Sequence, residues 1–167
     1  MHRYLQQTQD AIEAAASGMT TEQLGKRPAE GKWSAADILE HLARAFSGTV
    51  PGLEKCCDRD RTIAKPATMY ERLATVLVIN LGYFPSGRPA PAMTIPRGMQ
   101  PEESMNVIRH SLSAMDELFS HCEQRFGNAK LMNHPALGPL SADEWRKFHW
   151  LHTRHHMKQI AALRQCT

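Results

Sequence analysis

Seven apolar residues recur at alternating steps of three and four: Met105, Ile108, Leu112, Met115, Phe119, Cys122 and Phe126. That rhythm is the seam of a long helix buried along its whole length against other helices. Pro101 with Glu102 and Glu103 suits its start, where acids meet the positive end of the dipole, and Gly127-Asn128 suits its end. A chain with such a helix needs partners of similar length, and three further segments qualify. One runs from about His2 to Ala16 and stops at Ser17-Gly18. A second opens after Trp33 with Ser34 as N-cap and Asp37 as the capping acid, carries the stripe Ile38, Leu42, Ala45 and Phe46, and extends to the Val50-Pro51 region. The last opens at Ser141, with Glu144 completing a capping box, and reaches about Arg164. A helical turn is expected at Thr21 to Leu24.

Between the second and third long helices lies an insert. Its first half, about Thr68 to Leu81, reads as a helix; its second half, residues 83–101, is rich in proline and must be irregular. No strand pattern is evident. The expectation is an all-α four-helix bundle, one domain over residues 1–167, with a long crossover between helices 2 and 3.

Bulk properties narrow the function. A net charge of +3 is too mild to imply nucleic acid or an anionic membrane. The apolar run from Leu73 to Phe84 is about half the length of a membrane span, so a buried helix is expected there. The N-terminal MHRYLQQTQD lacks the apolar core of a secretory signal. The cytoplasm is then the expected location, with Cys56, Cys57, Cys122 and Cys166 as free thiols. Cys122 lies on the apolar seam and reads as core.

Four of the nine histidines, His149, His152, His155 and His156, crowd into the last helix. At 3.6 residues per turn, Trp145, His149, His152, His156, Ile160 and Leu163 share one arc, while Arg146, Lys147, Arg154 and Lys158 take the side expected to face water. His152 and His156, four apart, present two imidazoles to one point. Neutral imidazole is the commonest protein ligand for zinc, nickel or iron. His41 lies on the inward stripe of the second long helix and can supply a third nitrogen, leaving coordination positions open as in catalytic sites.

The segments WSAADILEHL and HTRHHMKQI resemble the second-helix and last-helix motifs of the DinB-like (YfiT-like) metal-binding four-helix bundles. The stretch from His134 to Ile160 is closest to a branch known only as a domain of unknown function. The resemblance implies an up-down-down-up bundle, often a homodimer, with His41, His152 and His156 holding zinc, nickel or another divalent ion. It also implies a thiol-dependent transferase acting on a small-molecule substrate with a low-molecular-weight thiol. A metal-dependent hydrolase and a non-enzymatic, metal-stabilised dimeric binding bundle stand as alternatives.

Neighbouring residues carry two readings each. Asp37 either orients His41 or serves the helix cap, the cap being favoured. Gln159 either bonds within the site or edges the core. His149 is a substitute ligand or catalytic proton-transfer group, or a packed histidine. His155 belongs at a surface or interface. His134 sits in a rigid turn or near the metal mouth, and Arg88 and Arg97 are candidates to pair with a substrate carboxylate or are simply solvated.

Overall fold

The computed structural model describes residues 1–85, 87 and 89–165. Arg88 and Cys166 lie outside the described residues, and with them the roles expected for both. Four long helices dominate: α1 (Arg3–Ala16), α3 (Ala35–Ser47), α6 (Pro101–Phe126) and α7 (Ala142–Gln165). Shorter ones join them: α2 (Thr21–Gly25), α4 (Val50–Asp58) and α5 (Met69–Thr75). The chain is mostly helical, and no helix among the described residues is long and apolar enough to cross a membrane.

Local chemistry starts most of these helices where the sequence marks them. Ser34 accepts from the Asp37 amide, and the Asp37 carboxylate accepts from Ser34 in return. Ser141 and Glu144 repeat the arrangement at α7. Each box satisfies amides that a helix N-terminus leaves unpaired. Gly18, just past α1, adopts a positive φ of 74°, a backbone that a Cβ would strain.

The seam on α6 is buried as expected: Ile108, Leu112, Met115, Phe119 and Cys122 enter the core, with Met105 and Phe126 packed at its margins. α6 lies against α3 and α4, while α1 lies against α7. α3 also touches α7, and that contact positions the histidines.

Four expectations are corrected. The second long helix does not run unbroken through Val50; α3 stops at Ser47, Gly48 and Thr49 intervene, and α4 begins at Val50 with Pro51 in its first turn. Proline lacks the amide needed to continue a helix but fits a new first turn. Strands do exist: β1 (Met132–His134) and β2 (Gly138–Leu140) pair antiparallel. Three residues each are too short for an alternating pattern to register.

The apolar run from Leu73 to Phe84 is helical at first, as α5 and a π-helical turn at Val76–Asn80, but it is not buried. Only Val78 and Ile79 enter the core, and Leu73, Leu81 and Tyr83 are each more than 60% exposed. The π-helical turn packs on α7, and α5 rests against the Gly138–Leu140 strand. Finally, Arg146 does not face water. It is 1% exposed, bonded to Glu123 at 2.6 Å and set over the Phe119 ring. Packing of α7 against α1 and α6 covers a helix side that a wheel of one helix shows as polar.

Candidate metal centre

His41 on α3 and His152 and His156 on α7 meet in the interior. Their candidate ligand atoms all lie within 4.8 Å of one another, and all three residues are buried. His152 Nε2 is 3.0 Å from His41 Nε2 and 3.0 Å from His156 Nε2. One turn of α7 separates His152 from His156, so the helix itself sets half of the cluster.

The opposite ring nitrogens decide what those Nε2 atoms are. His41 Nδ1 lies 2.9 Å from the Thr94 carbonyl oxygen, which only accepts, so Nδ1 donates. His156 Nδ1 is 2.7 Å from Gln159 Oε1 and donates likewise. In the neutral ring this leaves Nε2 of both as a bare lone pair. A proton on His152 Nε2 can serve only one of them. His152 Nδ1 is itself buried with no hydrogen-bond partner.

Three converging imidazole nitrogens with more lone pairs than protons fit a cation. The carbonyl and carboxamide contacts are those that ligating histidines use to fix ring orientation. The three residues could therefore hold a metal ion.

Electrostatics agree with neutral rings. Burial lowers the His41 pKa, with the Thr94 bond acting against it. Burial, then His156 and His41, push His152 well below its ordinary value. Burial, then His41, take His156 to about 3. Near neutral pH all three are deprotonated and able to ligate.

Aromatic rings close the surroundings. Trp33 lies 5.0 Å from the His41 ring and stacks near His156 at 6.5 Å, centroid to centroid. Phe84, from the insert, stacks on His152 at 5.4 Å, and Phe148 stacks on the same ring at 5.5 Å.

The insert is anchored by α3. Thr94, in a 3-10 turn at Ala92–Thr94, reaches His41, and the preceding residue on the helix, Glu40, holds the next stretch. The buried Glu40 carboxylate accepts from the backbone amides of Arg97, Gly98 and Met99, and from Arg44. Burial would raise its pKa, yet these bonds hold the carboxyl below the usual range.

The remaining expected residues fall into place around this centre. Asp37 serves the helix cap and pairs with Arg27. Gln159 bonds within the site. His155 is half-buried beside Phe84 and accepts from Gln159. His134 belongs to the rigid turn: its Nδ1 accepts from the amides of Ala136 and Leu137, and its ring packs on Phe148. His149 is fully buried and packs on Phe46, with Nε2 at 3.3 Å from Thr49 Oγ1 and Nδ1 unpartnered. Arg97 contributes its amide to Glu40, and its side chain is exposed.

Thr94, Phe84, Trp33 and Glu40 were not foreseen. The Thr94 contact is a backbone carbonyl, which every residue type carries. Glu40 lies on the side of α3 away from the Ile38, Leu42 and Ala45 stripe, where an acid reads as solvated, so its burial has no signature in the sequence.

These features define a mostly helical protein with a buried three-histidine group able to hold a metal ion. The chain belongs to the DUF1569 family, described as proteins of unknown function, whose profile matches residues 2–162. No curated protein matches the chain.

Proposed function

We propose that this chain is a divalent-metal-dependent enzyme of the DinB-like four-helix-bundle class, up-down-down-up in order. In this reading it joins a low-molecular-weight thiol to a small-molecule electrophile. His41, His152 and His156 are the ligands, with zinc or nickel as the ion. The observation that carries the reading is the convergence of three Nε2 atoms while Thr94 and Gln159 occupy the Nδ1 protons of two of the rings. A divalent ion held there supplies Lewis acidity, which lowers the pKa of a thiol or of water.

The chain's own residues do the rest. Thr94 and Gln159 fix two rings in the ligating tautomer, and Trp33 and Phe84 exclude bulk water from the cluster. His149 stands outside the ligand set; its unpartnered Nδ1 is the feature that fits a proton-transfer role. A single domain working in the cytoplasm on a small molecule, without nucleic acid, matches the mild net charge.

The test is elemental analysis of the purified protein beside His152→Ala. About one equivalent of metal is expected in the wild type and none in the variant. Equal metal in both defeats the ligand assignment. Turnover of a small thiol with an electrophile should then vanish on chelation.

A second reading, a metal-stabilised bundle without catalysis, draws on the burial of the ligands, each less than 8% exposed. Thermal melting with and without chelator separates the two. A closed structural site loses much of its stability when stripped, and an open catalytic site loses less.

The protein is further proposed to be a homodimer that pairs through the surface of the insert. Apart from Met1, the large hydrophobic side chains left exposed among the described residues all fall between Met69 and Ile95. They number nine. At roughly 100 Å² of exposed area each, they match the ~800 Å² that each partner of a stable dimer buries.

A further inference from the structure

Cys57 on α4 and Cys122 on α6 face each other with their sulfurs 3.8 Å apart, although 65 residues separate them in the chain. α4 packs directly on α6, so the approach is set by two helices and not by a loop. A disulfide needs about 2.05 Å between sulfurs, so the pair has under 2 Å left to close. Cys56, the immediate neighbour, is excluded by helix geometry. It points about 100° away, is fully buried, and donates its thiol to the Leu131 carbonyl. One pairing among the described cysteines is thus selected.

The two thiols are not equivalent. Cys57 is half-buried, whereas Cys122 is fully buried, so Cys57 is the one of the pair nearer to solvent. We propose that Cys57 and Cys122 form a reversible redox pair, oxidised to an intramolecular disulfide by a peroxide-class oxidant. The Cys57 sulfur attacks the peroxide; an S–O bond forms, the O–O bond breaks, and water leaves with the thiol proton, giving a sulfenic acid. The Cys122 sulfur then attacks the sulfenic sulfur. The S–S bond forms, the S–O bond breaks, and a second water carries away the Cys122 proton. Two thiols lose two electrons to one peroxide, which becomes two waters, and a small dithiol reverses the step by exchange.

Burial and the nearby Cys57 push the Cys122 thiol up to about 12, so Cys122 is the resolving sulfur and not the first to react. The pair depends on none of the proposed metal ligands. Its bridge would close a loop over residues 57–122, which contains both Phe84 and Thr94, the insert residues that touch the histidine cluster.

The test treats the full-length reduced protein with an equivalent of hydrogen peroxide. Remaining thiols are alkylated after unfolding, and intact mass and peptide masses are read. The wild type should lose two hydrogen atoms in mass, block two fewer thiols than the reduced control, and yield a linked Cys57–Cys122 peptide. Cys57→Ala and Cys122→Ala should abolish that peptide, and Cys56→Ala should leave it. A sulfenic-acid trap should label Cys57 about tenfold more in Cys122→Ala than in the wild type. The proposal falls if peroxide drives wild-type Cys57 to the sulfinic acid as fast as in Cys122→Ala, or if the bridge joins any other cysteine or a second molecule. The wild-type peptide map decides this even if a variant fails to fold.

Discussion

His134, half-buried, and His149, fully buried, are imidazoles with different duties. His134 holds a tight turn through a nitrogen that accepts two amides, and burial takes its pKa to about 4. His149 packs among aromatic rings, and burial, with His134 nearby, takes it to about 3. Both folded values lie below the ordinary 6.5, so between 6.5 and those values the unfolded chain binds protons that the folded chain refuses. Stability should therefore decline as pH falls from about 6.5, above the range where carboxylates begin to titrate. For His134 alone the full passage corresponds to roughly 3 kcal/mol. Urea midpoints between about pH 7 and pH 4 measure it. The slope should shrink in His134→Asn, whose side-chain oxygen can still accept; a midpoint flat over that range contradicts the assignment. At this scale the sequence was a good guide wherever the helical period alone decides direction. His152 and His156 share a face as their spacing requires, and His41 points inward on its own helix as its stripe implies. Arg146 shows the opposite case, because its burial depends on which helices α7 meets, and no single helix encodes that.

Among the elements, α3 does two jobs with adjacent residues. His41 turns into the histidine cluster, and Glu40 grips the insert that carries Thr94. Replacing Glu40 by Ala leaves three backbone amides and Arg44 without their acceptor, a loss of roughly 2–3 kcal/mol. Metal affinity should weaken as well, since the Thr94 carbonyl is held only three residues before the first amide that Glu40 binds. Urea unfolding and metal titration of Glu40→Ala measure both effects, and Glu40→Gln should recover part of each. Unchanged stability in Glu40→Ala would show that the insert is anchored elsewhere. The long helices were legible from their caps and apolar periods. The insert was not, because its contacts run through backbone groups and an apolar helix with no buried residue. The hairpin was missed because three-residue strands leave no period to read.

For the whole molecule, the exposed apolar segment from Met69 to Ile95 is the feature a lone soluble chain tolerates least. Light scattering of the purified protein should give the mass of a dimer. Leu73→Glu with Leu77→Glu should give a folded monomer, because both side chains are exposed and their loss leaves the core intact. A wild-type monomer at micromolar concentration removes the dimer, and recruitment of that monomer to lipid vesicles would assign the face to a membrane surface. The wide separation of His41 and His152, 111 residues apart, also bears on how the protein is made. A ribosome delivers His41 long before the pair that completes its triad, and in the unfolded chain only His152 and His156 are local partners. If the triad takes a metal ion as proposed, tight uptake must wait until α7 docks on α3, so the moment of uptake by a refolding chain would be a clock for its final tertiary step.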